Sequence, residues 1–125
     1  MFFKKFFSQS DLEFKYDDGG RSHAGYKGAA GDCVVRSIAI ATNLSYKKVY
    51  EDLYQANEIF RTTSKTKLAR SLKQKNDSPR MGTHRVVLKK YLLQLGWKGT
   101  PTMFIGQGCK IHLKKNELPN GTLII

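Results

Sequence analysis

Cys33 is the residue whose type and position most clearly allow chemistry. It lies in GAAGDCVVRSIAIATN, residues 28–43, directly after Asp32 and directly before an apolar run. In the first turn of a helix, unpaired backbone N–H groups and the positive end of the helix dipole stabilise a thiolate and can also bind an oxyanion. The adjacent Asp32 charge opposes a second anion, and a buried helical cysteine is commonly just a small apolar residue. Two interpretations therefore stand, a nucleophile or a residue at the edge of the core.

A cysteine nucleophile also needs a general base, which typically contributes about 10²–10⁴ in rate. His112 follows Cys33 in the chain and is the first candidate, although in an alternating strand it shares the outward face with Lys110. His23, in the glycine-rich segment before Cys33, is the second candidate. His84 opens a predicted helix, where a capping role suffices. Each histidine also has a structural interpretation.

A second kind of chemistry is suggested by charge. The net charge is +12, and residues 61–90 hold ten basic side chains and a single acidic one, Asp77. Such a segment attracts polyanions, of which nucleic acid is the usual one. It lacks interleaved aromatic residues and any known nucleic-acid-binding motif, so a merely solvated surface is the alternative. The residues predicted to bind a polyanion are Lys65, Lys67, Arg70, Lys73, Lys75 and Arg80.

The element that must position Cys33 is a predicted central helix. From Cys33 to Thr42 the sequence is apolar on nearly all sides, which is typical of a buried helix, and Ile38 belongs to its core. Asp32 is expected to cap its first turn and Asn43 to end it in the left-handed conformation.

Two further helices are predicted from capping residues and helical spacing. Ser45 can cap a helix over Tyr46–Ala56, and Thr83 can cap one over His84–Leu95 that stops at Gly96. Between them, residues 57–82 mix polar, basic, Gly and Pro residues and are predicted to form a basic mobile loop, in which Leu68 and Leu72 could anchor a short helix.

The last third of the chain has short β-prone segments separated by Gly, Pro and Asn: Thr102–Ile105, Lys110–Leu113 and Thr122–Ile125. Helices followed by strands favour an α+β fold. The final segment would be an unpaired apolar edge, so we expect self-association or a partner that covers it.

Length and composition suit one folded domain, residues 14–125, preceded by an aromatic and basic segment, residues 1–13. FFKKFF lacks the apolar run of a signal peptide, and no membrane span is predicted. The two cysteines, Cys33 and Cys109, do not form the pattern of closely spaced cysteines that a disulfide scaffold or a zinc knuckle has, and we expect reduced thiols, no metal and no cofactor.

GDCVVRSIAIAT, residues 31–42, and TPTMFIGQGCKIHL, residues 100–113, carry a family resemblance that extends over about residues 14–125. They resemble a family of small uncharacterised phage and bacterial proteins with a GDCVxRAIAIAT helix, regarded as papain-like. The resemblance implies a central helix on a small antiparallel sheet, with Cys33 as nucleophile, Asp32 as cap and Arg36 on the helix. Family members continue past the last strand into strands with a histidine base, so the resemblance implies a shortened chain, an incomplete sheet and no turnover.

Three function classes follow. The first is a cysteine peptidase-like protein of phage type, acting on a peptide or protein and inactive as this shortened chain. The second is a non-catalytic virion or host-interaction protein, and the third is a basic accessory protein that binds nucleic acid. The expected location is the host cytoplasm or the virion.

Overall fold

The computed structural model describes residues 13–72, 76–101, 103–104, 106, 108–109 and 118–124, and helices are the main regular structure among them. Within these residues there are four α-helices, α1 (Cys33–Thr42), α2 (Tyr46–Thr63), α3 (Lys67–Leu72) and α4 (Arg85–Gln94). A 3-10 turn (Pro79–Met81) lies between α3 and α4, and two short strands, β1 (Met103–Phe104) and β2 (Gly108–Cys109), follow α4. Helix α2 is the centre of this arrangement, because α1, α3, α4 and the 3-10 turn all pack against it.

Helix α1 begins and ends where the sequence predicts. Val35, Ile38 and Ala39 are buried, as the apolar run requires. Asn43 has a φ of 56° and ends the helix in the left-handed conformation, which asparagine tolerates better than most residues. Asp32 occupies the N-cap position, but its side chain accepts no capping hydrogen bond, so that part of the prediction is wrong.

Helix α2 starts at the predicted residue but is longer than predicted. The Ser45 hydroxyl accepts a hydrogen bond from the Lys48 backbone N–H at 3.2 Å. Tyr46, Val49 and Leu53 are buried, as their helical spacing indicates. The helix continues to Thr63 because no Gly or Pro interrupts residues 57–63.

The segment predicted as a mobile loop, residues 57–82, is therefore mostly helical in its described part. It contains the end of α2, then α3, and then the 3-10 turn. The Thr66 hydroxyl accepts from the Ala69 N–H at 3.2 Å at the start of α3, and Ala69 is fully buried. Leu68 is half-buried. Ala69 and Leu68, which lie between basic residues, thus give α3 an apolar side, and α3 packs against α2.

Helix α4 is capped one residue later than predicted. The Nδ1 atom of His84, rather than the Thr83 hydroxyl, accepts the Val86 N–H at 3.2 Å. The His84 ring stacks on Phe60 with centroids 6.5 Å apart, which brings the start of α4 beside the last turns of α2. Tyr91 and Val87 are buried, and the Tyr91 hydroxyl donates to Asp52 at 2.9 Å.

The core is a single cluster between α1, α2 and α4. Its buried members are Val35, Ile38, Ala39, Tyr46, Val49, Leu53 and Tyr91. Partly buried residues from the segment before α1, including Tyr26, and from the last described residues, including Ile124, pack against this cluster.

The α+β papain-like fold predicted from the sequence is wrong for the described residues. They contain one minimal antiparallel pair, Met103 with Cys109 and Phe104 with Gly108, and no sheet on which α1 could pack. Helix α1 packs on α2 instead. Residues 122–124 of the predicted last strand are not in a strand, while the predicted strand Lys110–Leu113 lies outside the described residues. Short β-prone segments do not make a stable sheet without neighbouring strands, and α2 already covers the apolar side of α1.

Candidate functional site

The glycine-rich segment before α1 is held by local hydrogen bonds. The Asp18 carboxylate accepts from the backbone N–H groups of Ser22 and Gly20, both at 2.9 Å, and hydrogen bonds from these two residues lower its pKa. Gly19 has a φ of +66°, and a Cβ there would lie 2.9 Å from the Arg36 carbonyl oxygen. Only glycine lets the segment approach α1 so closely.

Asp32 is the centre of a buried ion cluster, defined here as Asp32, Arg21, Arg36 and Tyr46. The Asp32 side chain is 1% exposed. Its carboxylate lies 2.7 Å from Arg21 Nε and 3.2 Å from Arg36 Nε, and it accepts a hydrogen bond from the Tyr46 hydroxyl at 2.6 Å. The two arginine contacts are ion pairs rather than aligned hydrogen bonds.

The charge state of this cluster follows from its partners. Burial alone would raise the pKa of Asp32, but the Tyr46 hydrogen bond and the two arginines lower it below its usual value. Burial and the hydrogen bond to Asp32 raise the pKa of Tyr46 well above its usual value. The pair therefore consists of a carboxylate and a neutral phenol at neutral pH, and this cluster fixes the backbone immediately before Cys33.

Cys33 is the first residue of α1 and is exposed. In the part of the chain that the structure describes, no side chain forms a hydrogen bond with its sulfur. His23 is exposed, and the Nδ1 atom of His84 caps α4. His112 lies outside the described residues. The structure thus brings neither described histidine into a hydrogen bond with Cys33.

The predicted polyanion-binding residues separate into three groups. Lys65, Lys67 and Arg70 are exposed at the junction of α2 and α3. Arg80 lies apart from them, because its guanidinium donates to the Lys27 carbonyl oxygen at 2.9 Å. Lys73 and Lys75 lie outside the described residues.

Helix α4 adds two cations to the first group. The stacking of His84 on Phe60 brings Arg85, the first residue of α4, to the same end of α2 as Lys65. Lys89 follows one turn later and is exposed on the same face of α4. These five residues, Lys65, Lys67, Arg70, Arg85 and Lys89, are called the basic end.

Asp77, the one acidic residue of the segment 61–90, forms an ion pair with Arg61. Arg61 Nε donates to Asp77 Oδ1 at 2.8 Å, and Arg61 Nη2 donates to Asp77 Oδ2 at 2.7 Å. This two-pronged contact fixes the chain after α3 to α2. No salt bridge joins a residue of the basic end to a carboxylate of the described residues.

The described residues show neither a metal site nor a membrane-spanning helix. Among the described residues, no group of three or more His, Cys, Asp or Glu side chains is arranged to hold a metal ion. None of the described helices combines the length and the apolar character needed to cross a membrane.

The chain matches no protein-family model, no curated protein and no solved structure. The family resemblance of residues 31–42 and 100–113 therefore stays a prediction.

Proposed function

We propose that this protein binds nucleic acid and that the basic end, Lys65, Lys67, Arg70, Arg85 and Lys89, contacts the phosphate backbone. The observation that carries the proposal is a set of exposed cations at one end of α2 without carboxylate partners among the described residues. The acidic residues nearest in sequence are Asp77, which Arg61 occupies, and Glu58 on α2.

The position of Arg85 supports an anionic ligand. Arg85 is the first residue of α4, where the helix dipole disfavours a cation, and no acidic residue lies in that first turn. A bound phosphate would offset this cost, because it interacts favourably with the Arg85 charge and with the helix terminus.

The test is binding to a labelled duplex DNA of about 20 base pairs, followed by fluorescence anisotropy near 0.1 M salt. The triple variant Lys65→Gln, Lys67→Gln, Arg70→Gln should bind on the order of 100-fold more weakly, if each residue neutralises one phosphate. The matched control is Lys15→Gln, Lys47→Gln, Lys98→Gln, which removes the same charge from exposed positions elsewhere.

An equal loss in both triple variants would mean that only net charge matters, and it would contradict a binding surface at the basic end. Absence of binding by the unaltered protein at 0.05 M salt, both to the duplex and to one of its separated strands, would contradict the proposal altogether. Thermal unfolding of both variants checks that each one folds.

A second candidate function is thiol chemistry at Cys33, as in a cysteine peptidase-like protein. The observation that favours it is the exposure of Cys33 at the first residue of α1, where backbone N–H groups are unpaired. Cleavage of a peptide library by the protein, abolished by Cys33→Ser, would support this candidate. Alkylation of Cys33 no faster than that of a thiol in an unfolded peptide would oppose it.

A further inference from the structure

A groove lies beside the segment that precedes α1 and is separate from the basic end. It has a volume of about 810 Å³, which is within the range of small-ligand sites. One wall is the segment Ala29–Gly31, and the other sides are formed by Tyr50, Tyr54, Asn76, Ser78, Arg80 and Met81. The Gly31 N–H donates to the Arg80 carbonyl oxygen at 2.9 Å, which fixes the wall to the 3-10 turn.

Two tyrosines from one face of α2 line this groove, four residues apart. Tyr50 is held in place, because its hydroxyl hydrogen-bonds to the Ser78 hydroxyl at 2.7 Å and Tyr26 packs on its ring with centroids 5.0 Å apart. Tyr54 is 40% exposed, so part of its side chain is open to solvent. The groove therefore offers a supported aromatic surface.

The polar groups of the groove favour an anionic and planar occupant. Arg80 is the one charged residue among the described residues that line it, and no carboxylate is present there. The hydrogen bond from Arg80 to the Lys27 carbonyl oxygen holds the guanidinium in position. Asn76 is exposed, and although its Oδ1 atom accepts a hydrogen bond from the Ser78 N–H at 2.9 Å, its amide NH₂ can donate to the edge of a base.

We infer that the groove takes a nucleotide of single-stranded nucleic acid, with the base stacked on Tyr54 and the phosphate beside Arg80. The inference rests on the proposed nucleic-acid binding and adds the class of substrate. Proteins bind single-stranded nucleic acid by stacking its bases on aromatic side chains that lie next to cations, whereas the bases of a duplex are already stacked on one another. An acidic peptide could also pair a carboxylate with Arg80, but it has no base to stack on Tyr54.

The experiment compares Tyr54→Ala with Tyr16→Ala, which removes an exposed tyrosine outside the groove. The probes are a labelled oligothymidylate of about 10 nucleotides, a labelled duplex of about 20 base pairs and a labelled polyglutamate peptide. Tyr54→Ala should bind the oligothymidylate at least about fivefold more weakly than Tyr16→Ala, with duplex binding unchanged. Tyr54→Leu, which keeps an apolar side chain, should show the same loss and guards against misfolding of the alanine variant.

Equal oligothymidylate binding by the Tyr54 and Tyr16 variants, in a protein that binds DNA, would overturn the groove and leave the proposed function intact. Failure of the unaltered protein to bind either nucleic acid would overturn both. If Tyr54→Ala loses polyglutamate binding and oligothymidylate binding equally, the result would contradict a nucleotide as the occupant of the groove and would favour an acidic peptide.

Discussion

Charged side chains have opposite surroundings in two regions of the molecule. Around Asp32 the charges are largely buried and paired, since two arginines and a tyrosine hydroxyl surround one carboxylate. At the basic end the cations are exposed and have no carboxylate partner among the described residues. Buried charges are tolerated only when they are paired, whereas exposed unpaired cations contribute little to stability. Folding and the proposed anion binding would therefore depend on separate sets of charges.

The largest effect on stability is expected from Asp32→Asn. The change leaves Arg21 and Arg36 without their anion and should lower the free energy of unfolding by about 3–5 kcal/mol. Urea unfolding measures this loss, and Glu51→Gln, at an exposed carboxylate, is the control. A loss below about 1 kcal/mol would mean that the cluster does not hold the segment before Cys33.

A similar or slightly smaller effect is expected from Ile38→Ala. The Ile38 side chain on α1 is fully buried, so its truncation leaves a cavity that should lower the free energy of unfolding by about 2–5 kcal/mol. Ile40→Ala on the same helix is the matched control, because Ile40 is 43% exposed and should lose roughly half as much or less. Equal losses at the two positions would contradict the packing of α1 on α2.

Tyr46→Phe should lower the free energy of unfolding by a smaller amount, about 1.5–3 kcal/mol, because it removes one hydrogen bond to a buried carboxylate and leaves the ring packed. The effect should depend on pH. The pKa of Asp32 is lowered in the folded protein, so this stabilisation is present above the unfolded pKa of about 3.9 and is lost as pH falls through the folded pKa.

Unfolding in urea at several pH values tests that dependence. The difference in stability between the unaltered protein and Tyr46→Phe should be constant near neutral pH and should narrow below about pH 4. A difference that stays constant or widens in acid would contradict a Tyr46 hydrogen bond that lowers the pKa of Asp32.

The smallest effect on stability is expected from the triple variant of Lys65, Lys67 and Arg70 to glutamine. These side chains are exposed, so the free energy of unfolding should change by no more than about 0.5 kcal/mol per position. Thermal unfolding at low salt measures it. A large loss of stability would show that the basic end belongs to the packed structure, and the contrast with the Asp32 cluster would disappear.

Local signals in the sequence predicted the helices well and the sheet badly. The caps at Ser45 and Asn43 and the apolar run around Ile38 depend on neighbouring residues, and the structure confirms them. A sheet depends on pairing between distant segments, which alternation in a short segment does not specify. The α+β prediction failed for that reason in the described residues.

The candidate sites were predictable only in part for the same reason. Lys65, Lys67 and Arg70 are close in sequence and were identified by charge, whereas Arg85 joins them only through the stacking of His84 on Phe60. The sequence indicates only a helix-capping role for Asp32, because its partner Tyr46 is 14 residues away and is recognisable only in three dimensions. A pattern in sequence identifies which residues are charged, but the fold determines which charges are paired.

The most direct test of the central claim is the salt dependence of duplex DNA binding by the basic-end triple variant. Each lost phosphate contact should reduce the slope of log Kobs against log salt by about 0.9, so the slope should become shallower by about 2.7. The control triple Lys15→Gln, Lys47→Gln, Lys98→Gln should keep the original slope. An unchanged slope in the basic-end variant, or an equal change in the control, would contradict the assignment of anion binding to this end of α2.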